Sequence, residues 1–104
     1  MANYVMVYKG GQMAETDEER ATVMAAWGQW IGALGQSLVD VGNPFGPSAT
    51  VTNGGTVSEG AASALTGYSI LQADSLPAAT ELAKGCPVFS SGGSVEVYET
   101  LKVM

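Results

Sequence analysis

Residues Asn3 to Tyr8 alternate like a β-strand, yet neither face is polar: Tyr4, Met6 and Tyr8 point one way, Val5 and Val7 the other. A strand that is apolar on both faces must be covered on both, which places it inside a sheet with a layer on each side. For a chain of 104 residues that is a severe demand. A chain of this size buries roughly two thirds of its unfolded surface, enough for one modest core and no second one. Residues 1–104 therefore read as one domain, and one of the two coverings has to come from elsewhere.

Composition removes several function classes. Hydrophobic residues make up 46% of the chain and charged residues 13%, the opposite of what a disordered chain needs. Ten acidic residues against four basic ones give a net charge of −6, which a phosphate backbone repels, so no nucleic-acid partner is expected. The charge-free stretch Val41 to Ser58 is rich in Gly, Pro, Thr and Asn and is no membrane span. The opening Met-Ala-Asn-Tyr-Val has no basic region leading into an apolar stretch, so no secretory signal is expected. The single cysteine, Cys86, has no internal disulfide partner and fits a reducing, cytoplasmic setting. The absence of histidine removes Ser–His and Cys–His nucleophile pairs and imidazole acid–base chemistry together.

A helix opens at Thr16-Asp17-Glu18-Glu19. Thr16 suits an N-cap, Glu19 can reach back, and the three acids complement the positive end of the helix dipole. Val23, Trp27, Trp30, Ile31, Leu34, Leu38 and Val41 recur at three- and four-residue steps. They form an apolar arc roughly 120° wide. Gly42 stands where a left-handed C-cap belongs, and Pro44 blocks continuation. Beside the arc, Ala21, Ala25, Gly28, Gly32 and Gly35 form a stripe of small residues. The stripe allows either close packing on the sheet or a loop, or room for a ligand or a partner subunit.

Asn53-Gly54-Gly55, between Ala49–Thr52 and Thr56–Ser58, signals a hairpin. Gly67 to Ala73 reads as a strand, Ser75 caps a short helix closed by Gly85, and Ser94 to about Leu101 reads as the last strand. The order β-α-β-β-α-β implies an α+β fold of ferredoxin-like type, an antiparallel sheet with two helices on one face. Tyr4, Met6, Tyr8, Tyr68, Ile70 and Tyr98 are expected on one face, and Val5, Val7, Leu71, Val95 and Val97 on the other. Two helices cover only one of these sets. A second copy of the chain is the simplest cover for the other.

Asn-Tyr-Val-Met-Val-Tyr at the start, Met24-Ala25-Ala26-Trp27-Gly28, Gly67-Tyr68-Ser69-Ile70 and Ser94-Val95-Glu96-Val97-Tyr98-Glu99 together resemble YCII-related proteins, in order over nearly the whole chain. The resemblance implies a dimeric α+β barrel built from two ferredoxin-like halves. Some YCII-like proteins are thought to use a His–Asp pair as acid and base, which finds no match in a chain without histidine. A related branch carries Asp-Gly-Pro-Phe before the third strand. The comparable stretch here, Glu59-Gly60-Ala61-Ala62, keeps only an acid and the glycine. Cys86 stands where some relatives place a histidine before a proline.

Among residues that can carry chemistry, Glu96 shares a face with Tyr98 and is expected to approach Tyr4 or Tyr8 if the last strand borders the first. There it is either a base with a raised pKa or an edge carboxylate. Asp74 reads as a helix-start residue, and Cys86, beside a helix C-terminus, as an inert thiol. The cluster Glu15, Asp17, Glu18 and Glu19 reads as a solvated cap, because consecutive acids on a helix diverge, so no metal site is expected. The Gly pairs lack the strand–GxGxxG–helix context of a phosphate loop, and no cofactor is expected. The reading is a small cytoplasmic homodimer that binds an apolar or aromatic molecule in a pocket lined by Tyr4, Tyr8, Trp30, Tyr68, Glu96 and Tyr98. The alternative is a cofactor-independent lyase, isomerase or oxygenase-like enzyme with Glu96 as base.

Overall fold

The computed structural model describes residues 2–10, 15–61 and 63–102; Gly11 of the first Gly pair and Ala62 lie outside them. In chain order its elements are β1 (Ala2–Lys9), α1 (Asp17–Leu34), β2 (Leu38–Asp40), β3 (Ala49–Val51), β4 (Val57–Glu59), β5 (Leu65–Ala73), α2 (Leu76–Ala83) and β6 (Ser94–Glu99). Short 3₁₀ turns occupy Gly35–Ser37 and Pro87–Ser91. Four strands form one antiparallel sheet in the order β2-β5-β1-β6. Strand β1 is interior, as its two apolar faces require. The architecture is α+β and compatible with a ferredoxin-like fold.

The sheet's register sorts its side chains. Tyr4 stands opposite Leu71, Met6 opposite Ser69 and Val97, and Tyr8 opposite Gly67 and Val95. These residues share one face. Met6, Tyr8 and Leu71 of that face form one core with Trp30 and Leu34 of α1 and Ala83 of α2, so both helices cover the same side. Val5 stands opposite Ile70 and Tyr98, and Val7 opposite Tyr68 and Glu96, which puts these six on the other face. The expected grouping of Tyr4, Met6 and Tyr8 with Tyr68, Ile70 and Tyr98 is therefore corrected. Antiparallel pairing puts directly opposed residues on the same face, and the register opposes the tyrosines of β1 to odd-numbered positions of β5 and β6. The uncovered face is real, but its residues are Val5, Val7, Tyr68, Ile70, Glu96 and Tyr98.

The shape agrees with one helical layer on one sheet. The principal extents are 44 × 39 × 18 Å. The smallest is about the thickness of two layers packed at roughly 10 Å spacing.

Two elements depart from the sequence reading. Helix α1 starts as expected, with the Thr16 hydroxyl accepting from the Glu19 N–H at 3.1 Å. It ends at Leu34, however, where Gly35 takes φ 54° and ψ −125°, a region that residues with a Cβ avoid. Leu38 and Val41 thus leave the helical arc, and Leu38–Asp40 becomes the edge strand β2. Gly42 does adopt a left-handed φ of 76°, but in a turn after β2 rather than as a helix cap. Strands β3 and β4 form the expected hairpin, with Gly54 and Gly55 both at positive φ, as a separate two-stranded sheet. Among the described residues no helix is long and apolar enough to cross a membrane.

Among the described residues, nothing packs against the small-residue stripe on α1. Ala21, Ala25, Gly28, Gly32 and Gly35 are all exposed, and a Cβ added at Gly28, Gly32 or Gly35 would meet no atom within 4 Å. Close packing of this stripe on the sheet or on a described loop is excluded.

Candidate functional site

Core faces normally pack to crystal-like density. Between α1 and the sheet this chain leaves a cavity of about 490 Å³. The local sequence explains the space. Where β5 borders the cavity it offers small residues at Thr66, Gly67 and Ser69, while β1 offers Tyr8 alongside. The volume that larger residues on β5 would fill stays open. Trp27 and Trp30 of α1 line the cavity, with Val23, Met24 and Ile31. Val88 closes it from the 3₁₀ turn that follows α2.

The segment Val41-Gly42-Asn43-Pro44 forms the far wall. Two glycines bring it there. A Cβ on Gly67 would lie 3.2 Å from the Asn43 carbonyl oxygen, so the absence of one lets this segment cross the strand closely. The backbone then pairs across, with the Tyr68 N–H donating to the Asn43 oxygen at 3.3 Å and the Phe45 N–H to the Thr66 oxygen at 2.9 Å. Gly42 abuts the Tyr68 carbonyl so closely that any Cβ would overlap it.

The aromatic corner is ordered edge to face. Tyr8 and Trp27 stand with ring centroids 5.4 Å apart at 89°, and Trp27 and Trp30 at 5.7 Å and 80°. The Trp30 indole N–H donates to the Leu82 carbonyl at 3.1 Å, tying α1 to α2. Gly85 permits that approach, since a Cβ there would come within 3.0 Å of the Trp30 ring. One polar line crosses the apolar wall. The Tyr8 hydroxyl donates to Ser69 Oγ at 2.7 Å, and Ser69 donates to the Val41 carbonyl at 2.6 Å.

Of the residues expected to line a pocket, the cavity wall contains Tyr8, Trp30 and Tyr68. Strand alternation sends the Tyr68 ring to the other face, where it stacks on Phe45 at 5.8 Å. Tyr4 is fully buried in a separate cluster with Ala73 and Ala79, and its hydroxyl donates to Glu99 at 3.0 Å. Burial, with the Glu99 carboxylate beside it, holds that phenol above its ordinary pKa. Strand β6 does border β1, but Glu96 stands opposite Val7 and so projects away from Tyr4 and Tyr8. Tyr98 lies with Glu96 on the uncovered face, about half exposed. The structure does not bring Tyr4, Glu96 or Tyr98 to the cavity.

Sequence reasoning missed Ser69, Thr66 and the Val41–Pro44 wall. The signal was present in part: Gly67 and Gly42 mark close backbone approach, and Ser69 is a lone small polar residue among Tyr68, Ile70 and Leu71.

Among the described residues no Asp, Glu, Lys or Arg lines the cavity. Burial pushes the Tyr8 phenol up to about 12, against a lowering by its bond to Ser69 and with a small further rise from Cys86. Burial likewise pushes the Cys86 thiol up to about 11, opposed by a hydrogen bond with the Val88 backbone. Both groups are therefore neutral and unreactive near pH 7. No group of three or more metal-ligating side chains occurs among the described residues. A wall of this kind can hold a molecule by shape, desolvation and one or two hydrogen bonds.

The model of the YCII-related domain matches residues 2–103. The chain belongs to the YCII-related domain family. No curated protein matches it.

Proposed function

We propose that this YCII-related protein binds a small, largely apolar or aromatic molecule in the cavity between α1 and the sheet. The observation that carries the reading is about 490 Å³ of space walled by Tyr8, Trp27, Trp30, Val23, Ile31 and Val88. The volume lies in the range of small-molecule sites, and the lining of aromatic and aliphatic side chains with a few placed polar groups is typical of them.

The protein acts as a cytoplasmic homodimer in this reading, with the sheets of two copies facing one another in a dimeric α+β barrel. Support comes from the single layer of helices and from the uncovered Val5, Val7, Ile70 and Tyr98 on the opposite face. The free Cys86 fits a reducing compartment. The catalytic alternative, with Glu96 as base, draws on that opposite face and would act on a molecule held in a different place from the cavity.

A thermal-shift panel of neutral apolar and aromatic compounds tests the binding reading. A ligand at about one hundred times its Kd stabilises the folded state by about 2.7 kcal/mol, which for a domain of this size raises Tm by about 10 °C or more. A panel that leaves Tm unchanged contradicts it.

A further inference from the structure

Hydrogen-bond direction at the cavity wall restricts the chemistry of what can bind. A carbonyl oxygen only accepts, so Ser69 must donate its one proton to Val41. With that proton committed, Ser69 Oγ can only accept from Tyr8, so the Tyr8 proton is committed too. Thr66, in the same wall, donates its proton to the Tyr8 backbone carbonyl at 3.2 Å. Each of these three hydroxyls keeps lone pairs and has no proton to offer. The Trp30 indole N–H is likewise taken by Leu82.

We infer that the cavity selects a neutral aromatic or apolar molecule carrying a hydroxyl or N–H donor, which it places against the Tyr8 phenolic oxygen. The inference rests on the proposal that the cavity is a binding site and deepens it. The hydrogen-bond chain Tyr8–Ser69–Val41 has all three members in the cavity wall, and Tyr8 and Ser69 are buried. A donor on the ligand supplies the partner that the Tyr8 oxygen lacks. Asn43 and Ser91 also carry donors in the wall, but Asn43 is exposed and Ser91 half-buried. At the buried Tyr8 oxygen, by contrast, a ligand with only acceptors sets lone pair against lone pair and forfeits its hydration unrewarded. A carboxylate fares worse. No cation lines the wall among the described residues, the whole chain carries a charge of −6, and a buried unpaired anion is strongly disfavoured. The raised pKa of Tyr8 agrees, since a phenol that stays protonated keeps the chain's direction across the physiological range.

Three matched probes test this by equilibrium dialysis against the full chain: 2-naphthol, 2-methoxynaphthalene and 2-naphthoate. The expected order is naphthol tightest, methoxynaphthalene weaker by about three- to tenfold, and naphthoate weakest. In Tyr8→Phe the advantage of naphthol over methoxynaphthalene should vanish while methoxynaphthalene binding persists. Equal binding of the two neutral probes by the unmodified protein overturns the inference and leaves the binding reading standing. So does a preference that survives Tyr8→Phe, or a naphthoate that binds tightest. No binding of any probe overturns the binding reading itself. Should Tyr8→Phe fail to fold, Ser69→Ala decides. It releases the Tyr8 proton to face the ligand, so the naphthol advantage should shrink, and an unchanged advantage overturns the inference.

Discussion

The same substitution at three glycines should have opposite effects according to what surrounds each one. At Gly28 and Gly32 of α1 an added Cβ meets no atom within 4 Å, and both positions are helix interior. Alanine there stabilises the helix by about 0.5–1 kcal/mol at each site, because glycine forfeits more backbone freedom on folding. At Gly42 the backbone has φ 76°, and a Cβ would lie 1.7 Å from the Tyr68 carbonyl oxygen and 2.6 Å from its carbon. Left-handed backbone alone costs a residue with a Cβ about 1–2 kcal/mol. Overlap with the backbone of β5 adds to this, because β5 and the Val41–Pro44 segment must separate to relieve it. A total on the order of 3 kcal/mol or more follows. Thermal unfolding of the three alanine variants measures both signs. With about 4–8 °C per kcal/mol for a domain of this size, Gly28→Ala and Gly32→Ala should each raise Tm by a few degrees. Gly42→Ala should lower it by more than about 12 °C. A neutral Gly42→Ala would refute the close approach that builds the far wall of the cavity. A loss of stability at Gly28 or Gly32 would refute the finding that this side of α1 is open, and would mean that another chain packs there.

Three further outcomes follow from the buried groups and the uncovered face. Cys86, with its thiol pushed up to about 11 from 9.0, should react with a disulfide reagent at pH 8 at least about a hundredfold more slowly than free cysteine; a rate near that of free thiol contradicts its burial. Cys86 and Tyr8 both hold their protons more tightly when folded, so the unfolded chain ionises first and stability falls as pH rises. The loss should begin near pH 9 for Cys86 and near pH 10 for Tyr8, and be complete above about 11 and 12. In urea titrations at stepped pH, Cys86→Ala should remove the part that begins near pH 9, and an unchanged profile would contradict the assignment. Sedimentation equilibrium should give twice the 10.6 kDa chain mass, and Ile70→Asp on the uncovered face should halve it; a lone chain at micromolar concentration contradicts the homodimer.

How far the sequence discloses this protein differs between its fold and its site. The interior placement of β1 follows from Tyr4, Val5, Met6, Val7 and Tyr8 alone, because apolar residues on both faces have no other resting place. The Thr16 and Ser75 caps and the Asn53-Gly54-Gly55 hairpin follow from local chemistry and appear as expected. The end of α1 does not. Leu38 and Val41 fit the helical period as well as they fit an edge strand, and periodicity has no means to weigh a strand's pairing with β5 against about two more turns of helix. The register of β1 against β5 and β6 is equally hidden, since a one-residue slip exchanges the faces. That slip separates Glu96 from Tyr8. The cavity itself is a property of what is missing at Gly67 and small at Ser69, and absence has no period.

Two-dimensional NMR of the nitrogen-labelled protein, titrated with 2-naphthol, tests most directly whether the space under α1 is where this protein binds. The indole signals of Trp27 and Trp30 and the amides of Gly42 and Ser69 should move together, while those of Val7, Glu96 and Tyr98 hold still. Movement confined to Val7, Glu96 and Tyr98 would place the ligand on the opposite face and contradict the account.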